Sequence, residues 1–217
     1  MSQFPLDHVS EGPGASAPDP APAAIVLHGR GADETDLLRP AAELPDDLHV
    51  VSLRAPTPLG PGYTWYELDL SAGGLEKSQP DPEDFAESRR LIDESVDAAV
   101  ERYDLDPARL GIFGFSQGGI VGMASVLERP ERYRWVAALH SYLPESHHDV
   151  SEFAASGRAA FVGAGEADEV IPASRSRLAA ETLESAGLDV TFRTYPTGHG
   201  IGRDELADVV EWVEGRY

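Results

Sequence analysis

The fold is decided by the ten residues Gly111-Ile-Phe-Gly-Phe-Ser116-Gln-Gly-Gly-Ile120, which join a short apolar run to a glycine-rich turn around a serine. The run before the serine is typical of a buried strand, and the apolar spacing after it predicts a helix that ends before Pro130. Small residues two positions either side of the serine let the strand and helix backbones approach closely at a strained turn. The stretch therefore predicts a strand–turn–helix unit that presents Ser116. An idle serine in a glycine-rich turn is the plain alternative.

Apolar strands alternate with helical segments on both sides of this unit. This alternation indicates an α/β fold, a mostly parallel sheet with helices on both faces in one small domain. In such a sheet, ligands bind at the carboxyl ends of the strands. Strands are expected at 24–27, 48–53, 109–113, 133–139, 159–164 and 189–195, and helices at 33–43, 82–103, 120–127, 172–186 and 206–213.

Two segments stand apart from this pattern. Residues 1–23 are rich in Pro, Gly, Ala and Ser, which predicts a flexible N-terminal arm outside the core and leaves 24–217 as a single domain. A Pro/Gly/aromatic segment at 55–74 is long enough to be a lid or binding loop. Packing of its Trp65 and Tyr66 over the sheet is the alternative.

The composition excludes several kinds of function. Without cysteine, the chain has no disulfide, thiolate metal site or cysteine nucleophile. Its 38 Asp and Glu residues against 17 Lys and Arg residues give a formal net charge of −21, which repels nucleic acid and anionic membrane surfaces. Because Lys77 is the only lysine, we hypothesise a protein adapted to a high-salt cytoplasm, where salt screens the carboxylates.

The location of the chain is expected to be cytoplasmic. No apolar run is as long as a transmembrane span. The first residues also lack the basic-then-apolar pattern of a signal peptide.

A serine hydroxyl needs a positioned base before it can act as a nucleophile. We expect His199, which follows the last strand in a Gly-His-Gly loop, and His140 is the one serious alternative among seven histidines. The imidazole in turn needs a carboxylate. Asp168 follows the intervening strand, although a solvated acidic loop would look the same. The order Ser116, Asp168, His199 matches the nucleophile–acid–base order of α/β-hydrolases.

Two backbone donors are expected to stabilise the oxyanion of the acyl-transfer intermediate. One is the N–H of Gln117, directly after the serine, and the other is the N–H of Arg30, in the loop after the first clear strand.

Seven motifs carry a resemblance to a known family. They are Leu-His-Gly-Arg-Gly-Ala-Asp at 27–33, Arg-Ala-Pro at 54–56, Gly-Tyr-Thr-Trp-Tyr at 62–66, Gly-Phe-Ser-Gln-Gly-Gly at 114–119, Ser-Tyr-Leu-Pro at 141–144, Gly-Glu-Ala-Asp at 165–168 and Gly-His-Gly-Ile at 198–201. Together they resemble the phospholipase/carboxylesterase family of α/β-hydrolases, which is related to acyl-protein thioesterases. The resemblance runs from about Ala24 to the C-terminal helix.

The resemblance implies an α/β-hydrolase fold and a serine carboxylesterase that hydrolyses small-molecule esters through an acyl-enzyme, without metal or organic cofactor. It assigns Ser116 as nucleophile, Asp168 as acid and His199 as base, with the oxyanion N–H groups of Arg30 and Gln117. Because relatives are found as monomers and dimers, either state is expected. The acyl pocket is placed near 59–75. The candidate substrate-binding residues are Leu59, Tyr63, Trp65 and Tyr66 in this segment and Leu143 in the Ser-Tyr-Leu-Pro motif.

Two departures from the family pattern affect the substrate. Relatives often have His-Gly where this chain has Ala164-Gly165, and often Gly where Ser141 stands. Three other functions stay open: a thioesterase or lysophospholipase acting on longer acyl chains with the same triad, a dienelactone-hydrolase-like enzyme, and a non-catalytic binding module. The second is disfavoured because that family has cysteine where Ser116 stands.

Overall fold

The computed structural model describes residues 4–151 and 153–217 of the chain, and a parallel β-sheet forms its centre. Apolar runs bounded by Gly, Pro and polar residues form the strands, as expected for buried strands. In chain order the strands are β1 (His8–Glu11), β2 (Ala21–Leu27), β3 (His49–Leu53), β4 (Thr57–Leu59), β5 (Gly62–Thr64), β6 (Leu68–Asp69), β7 (Gln79–Pro80), β8 (Leu105–Phe115), β9 (Trp135–Leu139), β10 (Ala159–Gly165) and β11 (Asp189–Tyr195).

Seven of these strands make the main sheet, in the order β1-β3-β2-β8-β9-β10-β11. All neighbours pair in parallel except β1 and β3, which are antiparallel. The carboxyl ends of β8, β9, β10 and β11 therefore lie side by side at one edge. This order brings the segments after residues 115, 139, 165 and 195 together.

Helices cover both faces of the main sheet. The helices in chain order are α1 (Leu38–Ala41), α2 (Pro82–Tyr103), α3 (Gln117–Glu128), α4 (Ala173–Ser185) and α5 (Arg203–Val213). On one face of the sheet, α2, α3 and α4 contribute Ile92, Val121 and Leu183 to the hydrophobic core. On the other face, α1 and α5 contribute Ala41 and Val209 to a second core cluster. The predicted mostly parallel α/β architecture is confirmed.

The first helix is shorter than the sequence indicates. A helix was expected across 33–43, but only Leu38–Ala41 is helical. The side chain of Asp33 accepts hydrogen bonds from the backbone N–H and the hydroxyl of Thr35, at 2.9 and 2.6 Å. These bonds form a local turn that competes with the first turn of a helix.

The N-terminal segment corrects a second expectation. Residues 8–11, predicted to lie in an arm outside the core, pair with β3 as an edge strand. The side chain of Leu6 is buried in the core beside them, and β2 begins at Ala21, three residues before its predicted start. A four-residue strand flanked by Pro and Gly has too little apolar periodicity to be recognised in the sequence. Residues 1–3 lie outside the described part of the chain.

The segment between β3 and α2 forms two short hairpins, β4–β5 and β6–β7. Hydrogen bonds of 2.7 Å from the N–H of Gly31 to the carbonyl of Tyr63, and of 2.8 Å from the N–H of Tyr63 to the carbonyl of Ala32, tie the first hairpin to the loop after β2. The segment thus packs beside the carboxyl edge of the sheet. No helix within residues 4–151 and 153–217 has the length and apolar character needed to cross a membrane.

Candidate active site

Ser116 occupies a sharp turn between β8 and α3, with φ 52° and ψ −120°. This left-handed conformation is strained for a residue other than glycine. Two glycines allow it, because a Cβ on Gly114 would lie 2.6 Å from the carbonyl carbon of Gly118, and a Cβ on Gly118 would overlap the carbonyl oxygen of Leu27. The predicted strand–turn–helix unit is present, and its turn holds Ser116 at the carboxyl edge of the sheet.

Replacing Gly118 by alanine is expected to lower the free energy of unfolding by about 3 kcal/mol or more, because the added methyl group meets backbone atoms of β2 that cannot move aside. Urea denaturation measures the change. Gly12→Ala is the matched control, since a Cβ there meets no atom of the described residues within 4 Å. Equal stability of the two variants would contradict the close approach of α3 to β2.

Three side chains far apart in the sequence meet at this edge. The Nε2 atom of His199 lies 3.0 Å from the Oγ atom of Ser116, and its Nδ1 atom lies 2.8 Å from the Oδ2 atom of Asp168. The Asp168 side chain is fully buried, whereas the His199 side chain is 20% exposed. The arrangement can pass a proton from the serine hydroxyl to the imidazole while the carboxylate holds the ring.

The carboxylate of Asp168 is held by four hydrogen bonds. Its Oδ1 atom accepts from the backbone N–H groups of Val170 and Ile171, each at 2.9 Å. Its Oδ2 atom faces two imidazoles, those of His199 and His140. Burial by itself would raise the pKa of Asp168, but the hydrogen bonds from Ile171, His199 and His140 outweigh burial and hold this pKa below its ordinary value.

His140, the alternative base in the sequence, is placed differently. Its Nδ1 atom lies 2.9 Å from the Oδ2 atom of Asp168, and its Nε2 atom lies 3.1 Å from the Oε2 atom of Glu205. It makes no hydrogen bond to Ser116 within the described residues, so the geometry favours His199 as the base.

Glu205 is a residue that sequence reasoning missed. The sequence predicts a helix at 206–213, which leaves Glu205 outside it, but α5 begins at Arg203 and buries Glu205 together with Val209, Trp212 and Val213. Glu205 and Val209 are four residues apart, the spacing of neighbours on one helix face, and this was the available signal.

The two expected oxyanion donors both line the cleft beside Ser116. As the first residue of α3, Gln117 has a backbone N–H without an acceptor inside its own helix. Its side chain is fixed by the hydroxyl of Thr64 and the N–H of Trp65, at 2.9 and 3.1 Å, and donates to the carbonyl of Tyr66 at 3.0 Å. The loop after β2 carries Arg30.

A cleft of about 380 Å³ opens at Ser116 and His199. Its walls are largely apolar and aromatic. They include Tyr66, Phe115, Ile120, Tyr142 and Ile171.

Tyr66 is the predicted substrate-binding residue that lines this cleft; the other four lie elsewhere. The indole N–H of buried Trp65 donates to the carbonyl of His28 at 2.8 Å, so this ring packs under the loop after β2. Leu59 and Tyr63 belong to the β4–β5 hairpin, and Leu143 lines a neighbouring cavity. The resemblance indicates the segment that forms the pocket, but it does not tell which side chains of that segment point into the cleft.

His140, Asp168 and His199 are also a set that could hold a metal ion, because their ligand atoms lie within 4.8 Å of one another. Imidazole nitrogens and carboxylate oxygens suit zinc. Here, however, the Nδ1 atoms of both histidines are hydrogen-bonded to the carboxylate of Asp168. This pattern is suited to holding protons between the three groups.

Comparisons with known proteins agree with this geometry. The sequence model of the phospholipase/carboxylesterase family matches residues 15–215. A probable carboxylesterase of Oryza sativa subsp. japonica is 27% identical over 155 residues, 69% of this chain and 55% of that protein. Acyl-protein thioesterase 1 of Gibberella zeae is 28% identical over 156 residues, 67% of this chain and 64% of that protein. The chain therefore spans less than two thirds of both relatives.

The likeness in structure extends over nearly the whole chain. A carboxylesterase from Mesorhizobium loti has a TM-score of 0.85 at 22% identity, covering 99% of this chain and 97% of that one. This likeness confirms the predicted α/β-hydrolase fold.

Proposed function

The chain belongs to the phospholipase/carboxylesterase family of α/β-hydrolases, and from this premise we propose that it is a serine carboxylesterase with Ser116, His199 and Asp168 as its catalytic triad. The observation that carries the proposal is the continuous contact from the Ser116 hydroxyl through both nitrogens of His199 to the Asp168 carboxylate, at 3.0 and 2.8 Å. Nucleophile and base within hydrogen-bond reach, with the base oriented by a third group, are the expected signature of an activated serine.

In the first step, the Oγ atom of Ser116 attacks the ester carbonyl carbon while the Nε2 atom of His199 takes the hydroxyl proton. The N–H groups of Arg30 and Gln117 stabilise the negative charge on the carbonyl oxygen. The carbon–oxygen bond to the alcohol then breaks, and the alcohol leaves with the proton from His199. The acyl group remains on Ser116.

In the second step, a water molecule attacks the acyl carbon and His199 takes its proton. The bond to Ser116 breaks, the carboxylic acid is released, and the proton returns to the serine oxygen. Throughout, Asp168 keeps the proton of His199 on the Nδ1 atom, so that the Nε2 atom is free to accept.

The cleft favours small or medium apolar esters. Its volume of about 380 Å³ is at the lower end of ligand pockets, which measure about 300–1,000 Å³. Its side chains offer contact surface to an acyl chain, and the acidic composition disfavours anionic substrates.

A fluorophosphonate probe tests the proposal directly. The native protein is expected to gain the mass of one probe less hydrogen fluoride, located by peptide mass spectrometry on Ser116, because the Oγ atom of an activated serine displaces fluoride from the probe's phosphorus and becomes phosphonylated. An unlabelled protein, or a label on another residue, would overturn the assignment. Heat-denatured protein is the control for nonspecific labelling.

Thioester hydrolysis is the second candidate, supported by the acyl-protein thioesterase relative. An ester and thioester series from acetyl to palmitoyl separates the two functions by kcat/KM. A maximum of kcat/KM on short esters is expected from the size of the cleft, and a maximum on palmitoyl thioesters would favour the second function.

The series is run at low and molar KCl, because the net charge of −21 underlies our hypothesis of a high-salt protein. Cytoplasmic location and a monomeric or dimeric state stay predictions.

A further inference from the structure

Behind the proposed triad, the hydrogen bonds continue into the protein. Asp168 faces His140 at 2.9 Å, and His140 faces Glu205 at 3.1 Å. The side chains of all three are completely buried. The acyl-transfer chemistry described above uses neither His140 nor Glu205.

We propose that Glu205 and His140 form a buried ion pair that holds Asp168 in place and keeps a positive charge beside it, so that His199 stays neutral and able to act as a base in more acidic solution. This inference rests on the proposed function of the triad. His140 and Glu205 are positioning residues, since they touch neither the serine nor the cleft.

The donor pattern determines where one proton of His140 lies. Asp168 is ionised, because the backbone N–H groups of Val170 and Ile171 and the Nδ1–H of His199 donate to its oxygens and hold its pKa below the ordinary value. An ionised carboxylate only accepts hydrogen bonds. The Nδ1 atom of His140 must therefore carry a proton that it donates to Asp168.

The other nitrogen of His140 faces the carboxyl group of Glu205. That group accepts from the N–H of Gly202 at 3.3 Å, and its Oε1 atom is buried with no hydrogen-bond partner among residues 4–151 and 153–217. A carboxylate so buried needs a nearby positive charge. A second proton, on the Nε2 atom of His140, supplies it and makes the imidazole cationic.

The titration of His140 agrees with this geometry. Burial on its own lowers the pKa of His140, but the hydrogen bonds and charges of Glu205 and Asp168 outweigh burial and raise this pKa above its ordinary value. Two further titratable groups of the described chain lie nearby: His199, whose ring lies against that of His140, and Tyr195, which lies near Glu205 and is hydrogen-bonded to Asp208.

The fold makes room for the pair at two positions. A Cβ on Gly163 of β10 would overlap the Oε1 atom of Glu205, so only glycine leaves space for this carboxylate. His140 has φ 51°, a left-handed conformation that is uncommon outside glycine and is held here by a 2.8 Å hydrogen bond from its N–H to the carbonyl of Gly163. Strain of this kind persists where the surroundings determine it, and it is concentrated at functional sites.

The charge of His140 acts on His199 over a short distance. The ring centroids are 5.7 Å apart. A positive charge there opposes protonation of His199, and the more distant carboxylate of Glu205 cancels only part of this effect. Asp168, shared between two imidazoles, is also prevented from turning away from His199.

Glu205 also has a structural role, because it is the third residue of α5 and caps the helix through the N–H of Gly202. Glu205→Gln separates the two roles. A glutamine keeps the size and removes the charge. Because one atom of Glu205, Oε2, both accepts from Gly202 and faces His140, an amide that donates to the Nε2 atom of His140 gives up the 3.3 Å bond to Gly202. The lost cap changes stability, whereas the now neutral His140 changes the pH profile. A purely structural role predicts an unchanged pH profile.

The first experiment measures kcat/KM against pH for the native enzyme and Glu205→Gln. The acid limb of the variant is expected to move up by about half a pH unit or more, from charges acting through an effective dielectric constant of about 20. Asp204→Asn is the matched control, since it removes an exposed charge from the same turn of α5. A limb that does not move, or that moves equally in the control, would overturn the inference.

The second experiment tests whether His140 positions the carboxylate of Asp168. His140→Ala removes a donor and is expected to reduce kcat by about 10- to 100-fold with little change in KM, because small displacements of a catalytic group are costly. His140→Asn restores a donor, tolerates the left-handed backbone, and should recover most of kcat. Equal loss in both variants would contradict the positioning role.

Nitrogen-15 NMR of labelled histidine measures the protonation state of His140 independently of catalysis. Both nitrogens of His140 are expected to be protonated in the native enzyme at neutral pH, and the Nε2 proton should be absent in Glu205→Gln. A neutral His140 in the native enzyme would overturn the inference, whereas an unlabelled Ser116 in the probe experiment would overturn the proposed function alone.

Discussion

The Ser116→Ala variant will hydrolyse p-nitrophenyl acetate with a kcat lower than that of the native enzyme by about four to six orders of magnitude. The reason is chemical: without the Oγ atom that lies 3.0 Å from the Nε2 atom of His199, no acyl-enzyme can form. Steady-state kinetics with enzyme purified away from host esterases measures the loss. Serine and alanine both carry a Cβ atom and are strained alike at φ 52°, so the variant should fold with about the same stability.

Ser185→Ala is the matched control, since it removes a hydroxyl from the exposed end of α4. It should retain native activity. Near-native turnover by Ser116→Ala, in protein free of contaminating esterase, would show that another group is the nucleophile and would exclude the acyl-enzyme on Ser116.

The Asp168→Asn variant is expected to lose about 10⁴-fold in kcat. Two backbone N–H groups, from Val170 and Ile171, point at the Oδ1 position. The amide oxygen of asparagine must face them, which turns its NH₂ group toward the Nδ1 atom of His199. The proton of His199 then moves to the Nε2 atom, where it blocks acceptance of the serine proton.

Glu169→Gln is the control for this variant, because it removes an exposed carboxylate from the adjacent position. Its kcat should match that of the native enzyme. Comparable losses in both variants would indicate a general effect of charge in this loop, and a full-activity Asp168→Asn enzyme would remove Asp168 from the triad.

Several features could be predicted from the sequence because they depend on local sterics. Gly114 and Gly118 encode the tight turn of Ser116, and the alternation of apolar strands and helices encodes a parallel sheet. Since parallel strands share one carboxyl edge, residues that follow them, such as Asp168 and His199, were expected to converge there. Asp168 and His199 are hydrogen-bonded to each other, and His199 is also hydrogen-bonded to Ser116.

Other features depend on which face of an element turns inward. Within one hairpin segment, Tyr66 lines the cleft while Trp65 packs beneath the loop after β2. Residues 8–11 look like part of a Pro/Gly-rich arm until the free edge of β3 pairs with them. Neither choice is encoded by neighbours in the sequence.

The sequence by itself determined the fold class, the strand–turn–helix unit around Ser116 and the order of the candidate catalytic residues, because glycine sterics and apolar periodicity act over a few neighbouring residues. Only the tertiary structure decided that Asp168 is shared by two histidines and that α5 turns Glu205 toward His140. Those contacts follow from the strand order and from the rotation of α5 about its own axis, which the packing of the whole sheet sets.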